Sequence, residues 1–512
     1  MMRLLFFVLA LLSWATAAAA DTPRLFQQHC ASCHGADRLG DSGPALLPES
    51  LARLKKNDAI ATVAQGRVAT RMPAFGELIA PDELKALVDY LYTPLAHAPN
   101  WNDTDIRASR NEYHAPGTLP DKPAFDADML NLFIAVETGD HHATLLNGDT
   151  FEPIKRFATR FALHGGPKFS PDGRYVYFAS RDGWVSRFDI WNLEYTAEVR
   201  VGINTRNIAV SSDGRYVMAA NYLPNTVVVL NAADLTLVKT IPVTDMAGRG
   251  SRVSAVYDAA PRKSFIVALK DVPELWEVSY DDAAPPIHPG LVHDFRMGEA
   301  IAIPGKLNPR RTPLDTVLDD FFFDQGYTYL IGASREGKGQ VINLDARRKT
   351  ADLPLPGMPH LGSGITWQWQ GRDVLATPNL KDGLVTVIDM RDWRVVKEIR
   401  TPGPGFFMRS HENTPYAWTD VFNGAANDTL QLIDKNTLEI AAALTPAPGK
   451  TAAHVEFTRD GRHALVSVWE NDGALVVYDA ATLREVKRLP MNKPSGKYNV
   501  YNKINRSSGT SH

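Results

Sequence analysis

The chain has 512 residues, with 36 Gly, 34 Pro, 10 Trp and two Cys, and Lys+Arg 55 against Asp+Glu 58 leaves a formal net charge of -3. With 22% charged and 44% hydrophobic residues it has material for a large core, which excludes a disordered chain or a coiled coil. Near-neutral charge gives nucleic acid or an anionic membrane surface no electrostatic hold, and two cysteines cannot make a disulfide framework.

Residues 1–20 read as a secretory signal peptide. Arg3 precedes an apolar run from Leu4 to Trp14, and Ala15 to Ala20 supply a small-residue cleavage region. That run of 11 residues is shorter than the ~20 a bilayer span needs. No later stretch reaches spanning length, so the expected product starts near Asp21, is exported to the periplasm and has no membrane span.

Cys30-Ala31-Ser32-Cys33-His34 follows, the C-x-x-C-H pattern of c-type haem attachment. Two thiols on one helical turn reach the two porphyrin vinyl groups, and the adjacent His34 lies under the iron as axial ligand. A redox pair or half a zinc site is the alternative, but no further cysteine exists to complete a zinc site. Gly43-Pro44 stands where a small cytochrome has the loop that buttresses its proximal histidine. Met72, in Met72-Pro73-Ala74-Phe75, lies 38 residues after His34 as a sulfur ligand. Asp82 to Tyr92, led by Pro81, reads as an amphipathic closing helix. Residues 21–97 therefore resemble a small all-α class I cytochrome c carrying covalent haem c, and His29 reads as a packing residue.

Residues 98–128 are rich in Pro, Asp and Asn without periodicity and read as a surface linker. A repeat follows. Phe169-Ser170-Pro171-Asp172-Gly173-Arg174-Tyr175 is echoed 41 residues later from Val210, and again from Phe457. Each D-G turn leads into an alternating strand, then a second strand ending in Asp or Asn, as at Asp189, Asn231, Asp389, Asp434 and Asp479. Weaker copies near residues 130–157, 264–280, 328–353, 374–399 and 415–444 bring the count to eight units, with a period of roughly 48 residues. Residues 129–512 are thus expected to form an all-β eight-bladed propeller, with seven blades as the rival.

A propeller alone carries no function. The combination, however, resembles the cytochrome cd1 family, a cytochrome c domain followed by a propeller holding haem d1. The resemblance rests on Phe161-Ala162-Leu163-His164, Arg181-Asp182-Gly183, Pro359-His360-Leu361-Gly362-Ser363-Gly364 and Ser495-Gly496-Lys497-Tyr498-Asn499-Val500-Tyr501-Asn502. It implies that His164 is the proximal ligand of the d1 iron, and that Arg181 and Arg206 bind tetrapyrrole carboxylates, with Arg160, Arg252 and Lys270 as weaker candidates. The nitrite reductases of this family pair two histidines over the iron. Here His360 matches one and the other falls on Asp319, while His454 is a histidine the reductases lack. An ionised Asp319 would repel nitrite, and His454 could close the iron's sixth position as an axial ligand.

These departures are similar to the branch of the family that dehydrogenates dihydro-haem d1 in haem d1 biosynthesis, which supplies a denitrification enzyme. That resemblance implies an oxidoreductase converting a propionate of the noncovalently bound precursor to an acrylate, with His360 and Tyr498 as catalytic residues. Two electrons leave with two protons, and the d1 iron and the c-type iron can take one electron each. The implied partners are the tetrapyrrole substrate, an external electron acceptor and a transient complex with cytochrome cd1 nitrite reductase. The alternatives are a nitrite reductase, a non-catalytic haem d1 carrier, and, remotely, a quinone-dependent dehydrogenase needing calcium ligands that the sequence does not offer.

Overall fold

The computed structural model describes residues 22–505 apart from 42, 53, 67–71, 98, 162, 164–165 and 289–301. The expected signal peptide and His164 therefore lie outside the described residues. The chain divides into two compact units, Met1–Pro99 and Asn100–His512.

The first unit is helical, with helices Thr22–His29, Ala31–His34, Pro48–Leu51, Lys56–Gln65 and Pro81–Leu91. Its core joins Phe26, Ala59, Val63, Ile79, Leu84, Leu87, Val88 and Leu91, with Met72 and Phe75 packed partly buried against it. Phe26 on the first helix meets Tyr90 on the last at 6.0 Å between ring centroids. Glu83 accepts from the backbone N–H of Ala80, so the closing helix begins where Pro81 and the acidic first turn dictate.

Among the described residues the second unit contains eight antiparallel sheets of at least four strands, which settles the blade number in favour of eight. The last strand, Pro494–Asn499, pairs with Leu132–Glu137, so the two ends of the repeat close the ring in one sheet. Each neighbouring pair of sheets buries its own apolar cluster, eight in all among the described residues. Sheet against sheet is what allows a chain with little helix to bury so much apolar surface.

The D-G turns join the first and second strands of a blade, so the second strand after each turn, the one expected to end in Asp or Asn, is the third strand of its sheet. The turn hydrogen bonds explain the motif. Asp172 accepts from Ser170 Oγ at 2.5 Å and from the Arg174 N–H at 3.1 Å, with Gly173 at φ +75°. Gly214 and Gly461 repeat that left-handed conformation, which favours glycine. Arg174 then reaches Asp189 at 3.0 Å, and Arg372 reaches Asp389 at 2.9 Å, tying the turn to the end of the third strand.

The segment 98–128 differs from the expected featureless linker. It carries a helix, Asp103–Ala108, capped by Asn102, and a short strand, Asn111–Glu112, that adds to the blade strand Glu194–Arg200. Ile106 and Trp101 join the apolar cluster between the sheets containing Tyr175–Ala179 and Tyr216–Leu223. Short apolar residues in a polar stretch sufficed, and periodicity over so few residues was invisible.

Candidate functional site

In the helical unit the C-x-x-C-H turn is held by backbone bonds from Cys33 and His34 to the Cys30 carbonyl, at 3.1 and 2.9 Å. His34 Nδ1 donates to the Pro44 carbonyl at 2.7 Å, which leaves Nε2 as the ring nitrogen with a lone pair. Gly43 is needed for this approach, because a Cβ there would lie 2.9 Å from His34 Cε1. The segment after Met72 is pinned to the helix Lys56–Gln65 by Phe75 and Gly76 N–H groups donating to Val63 and Ala64 at 3.0 and 2.9 Å. His29 packs edge-on against Phe75, as a packing residue would. Cys30, Cys33, His34 and Met72 thus fit a covalent haem c, which supplies a one-electron acceptor when bound.

In the propeller, His360, Asp319, Arg206 and His454 lie where the chain enters the innermost strands of their blades, and Tyr498 lies towards the far end of its own. His360 precedes the innermost strand Ile365–Trp369. Its Nδ1 donates to the Phe406 carbonyl at 2.7 Å, fixing the tautomer with Nε2 unprotonated. Nε2 lies 3.8 Å from Asp320 Oδ2. Burial lowers the His360 pKa, although Asp320 pulls the other way. A Cβ on Gly362 would run into Asp320 Oδ2, so the His360-Leu361-Gly362 turn sits directly on this carboxylate. Tyr257 donates to the other Asp320 oxygen at 3.0 Å.

His454 lies in a β-bulge of the strand Ala452–Phe457, at φ +50° and 2% exposed. A non-glycine residue in the left-handed region at a bulge marks a side chain re-aimed on purpose. Arg206 occupies the equivalent bulge of the strand Asn204–Val210. Burial, with Lys497, Arg409 and Lys503 nearby, holds the His454 pKa well below its ordinary value, and its Nδ1 has no hydrogen-bond partner among the described residues. Such an imidazole stays neutral and keeps its lone pair, which fits an iron ligand.

Five rings connect these residues in a row. His360 meets Phe406 at 4.3 Å, Phe406 meets Phe407 at 4.5 Å, Phe407 meets His454 at 4.8 Å, and His454 meets Tyr498 at 5.1 Å. Tyr498 lies on the ring-closing strand with its hydroxyl edge against Gly166, two residues beyond His164. Burial pushes its pKa up to about 12, so it is a proton donor at neutral pH and not a phenolate.

Asp319 is ion-paired with Lys270 at 2.5 Å and Arg335 at 2.9 Å. Burial works to raise its pKa, but the two cations prevail and lower it, so the carboxylate stays ionised. Arg181, Arg252 and Lys270 all approach the Tyr222 ring, at 5.8, 5.5 and 5.7 Å, giving a cationic corner suited to carboxylates. Arg252 also pairs with Asp271 at 2.6 Å, and Arg160 is held by Glu198 at 2.6 Å over the Trp184 ring. Arg206 Nε donates to the Ser254 carbonyl at 3.0 Å. At the D-G end of the channel, a cavity of about 420 Å³ is lined by Lys168, Tyr257, Asn502 and Lys503 among others.

Sequence reasoning missed Phe406, Phe407, Asp320 and Asp420. Asp420 is 1% exposed, and burial pushes its carboxyl up to about 6. Gly403-Pro404-Gly405 flags the turn before the two phenylalanines, since a Cβ on Gly405 would meet the Asp420 carbonyl at 2.8 Å.

Residues 127–293 and 303–503 match the family model described as Cytochrome D1 heme domain. Residues 17–91 match that described as Cytochrome C oxidase, cbb3-type, subunit III. The chain is 56% identical to the dihydro-heme d1 dehydrogenase of Pseudomonas aeruginosa over 100% of both chains. It is 23% identical to the nitrite reductase of Stutzerimonas stutzeri, over 94% of this chain and 92% of that one. Among solved structures it is similar to the dihydro-heme d1 dehydrogenase NirN in complex with DHE. That likeness has a TM-score of 0.89 and 57% identity, and covers 95% of this chain and 100% of the other.

Proposed function

The chain belongs to the cytochrome d1 haem-domain family, and we propose that it is a dihydro-haem d1 dehydrogenase. It takes the noncovalently bound precursor as substrate and converts a propionate, –CH2–CH2–COO⁻, to an acrylate, –CH=CH–COO⁻. Two protons and two electrons leave; haem c, which Cys30, Cys33, His34 and Met72 would hold, would supply a one-electron acceptor between the substrate and an external acceptor.

Each role follows from the side chain's surroundings. His360 Nε2 takes a carbon-bound proton, because the Phe406 carbonyl occupies the other nitrogen's hydrogen. Tyr498, kept protonated, donates a hydrogen bond at the far end of the ring row. Neutral His454 would hold the tetrapyrrole iron, together with His164, which is assigned from the sequence motif alone. Arg181 and Arg206 take the carboxylates, with Lys270 already committed to Asp319.

The observation that carries this reading against nitrite reduction is Asp319. Where the reductases have their second histidine, this chain has a carboxylate held ionised by Lys270 and Arg335, which has no proton to give a nitrite oxygen. The leader at residues 1–20 and the c-type haem motif support a periplasmic location, and no described helix is long and apolar enough to cross a membrane. Product release to cytochrome cd1 nitrite reductase through a transient complex fits a tetrapyrrole held without covalent bonds.

The test is anaerobic addition of the precursor to the oxidised protein while the haem c spectrum is followed. Reduction of haem c in step with precursor consumption supports the dehydrogenase. A haem c that stays oxidised refutes it and leaves the carrier.

A further inference from the structure

A single buried carboxylate joins two blades behind the ring row. Asp420 ends the strand Tyr416–Asp420. One of its oxygens accepts from the backbone N–H groups of Phe406 at 2.7 Å and Phe407 at 3.0 Å. The other accepts from the backbone N–H of His454 at 3.3 Å. The Asp420 N–H returns a bond to the Phe407 carbonyl at 3.2 Å.

These bonds reach both histidines. Phe406 is the residue whose carbonyl holds His360 Nδ1, so its peptide is fixed on one side by Asp420 and on the other fixes the base. His454 is in the bulge whose left-handed backbone carries an energetic cost and needs an external hold. Its carbonyl is gripped in turn by Lys497, which also donates to Ser467 Oγ at 2.8 Å. A carboxylate can accept on both oxygens; an amide of the same shape cannot, because one of its two heads is a donor.

We propose that Asp420 is a positioning residue that sets the ring orientation of His360 and the backbone of His454 together, so that base and iron ligand share one spacing across the substrate. This deepens the proposed dehydrogenase reading and rests on it for the roles of the two histidines. Asp420 is buried and acts through its backbone partners, Phe406, Phe407 and the bulge at His454.

The Asp420→Asn variant keeps size and removes one acceptor. With the amide oxygen on Phe406 and Phe407, its NH2 opposes the His454 N–H and releases the bulge. The protein carrying haem c is loaded with the precursor, and two quantities are read: the visible bands of the bound tetrapyrrole and the single-turnover rate. The expected result is shifted bands together with a rate lower by on the order of 10- to 100-fold. Asp389→Asn, which breaks the pair with Arg372 at the end of a third strand in another blade, is the control and leaves the bands in place. Wild-type bands and rate in Asp420→Asn overturn the proposal. So does a slowed variant whose bands match the control, since that is loss of stability alone. Should Asp420→Asn not accumulate folded, Asp420→Glu keeps the charge but changes its reach. Shifted bands with slowed turnover then support the proposal, and wild-type values overturn it. If the wild-type protein binds the precursor without converting it, the dehydrogenase reading fails while the bands still decide on Asp420.

Discussion

The Nδ1–H of His360 donates to the carbonyl of Phe406 at 2.7 Å, and that bond determines which nitrogen of the ring can accept a proton. Replacing His360 with Ala removes the base without removing the iron ligand. The variant should still bind the tetrapyrrole, and single-turnover conversion should fall by about 10²- to 10⁴-fold. Unchanged conversion would take His360 out of the mechanism.

The pH dependence follows from the same burial. His360 must be neutral to act, and desolvation lowers its pKa below the ordinary value of 6.5. The single-turnover rate should therefore be flat at neutral pH and fall only on acidification below 6.5, as the ring protonates. Tyr498, pushed up to about 12, should add no limb in the neutral range. A rate that still climbs between neutral and mildly alkaline pH would contradict this.

Asp319→Asn leaves Lys270 and Arg335 without their shared counter-charge. Lys270 is largely buried, so the folded protein should lose about 1–3 kcal/mol in a denaturant titration. No nitric oxide should form from nitrite in either protein. Nitric oxide production by the wild-type chain would return it to the reductases.

Met72→Ala should keep haem c attached through Cys30 and Cys33 on a denaturing gel while altering its visible spectrum, since only the sulfur ligand goes. Gly43→Val should lower the yield of attached haem, because its side chain would enter the space of the His34 ring. An unaltered Met72→Ala spectrum would mean that the sulfur does not ligate.

Much of this was legible in the sequence wherever chemistry is local. C-x-x-C-H is fixed by covalent attachment, and the S-x-D-G-R turn by hydrogen bonds within six residues, so both show in one chain without partners. The Asn102 cap with Asp105 was also a local signal for the helix in 98–128, but its short length hid it. Asp420, Phe406 and Phe407 were silent for a different reason. Their importance comes from meeting His454 and His360 from separate blades, a relation that closes only when the ring does. The bulges at Arg206 and His454 were equally silent, since a skipped pairing depends on the neighbouring strand.

The central claim is that the tetrapyrrole is the substrate, and the mass of the pigment tests it most directly. The purified protein is loaded with the dihydro precursor, oxidised, and extracted with acid solvent; haem c stays on Cys30 and Cys33. The account predicts a pigment lighter by two hydrogens, and an unchanged mass would contradict it.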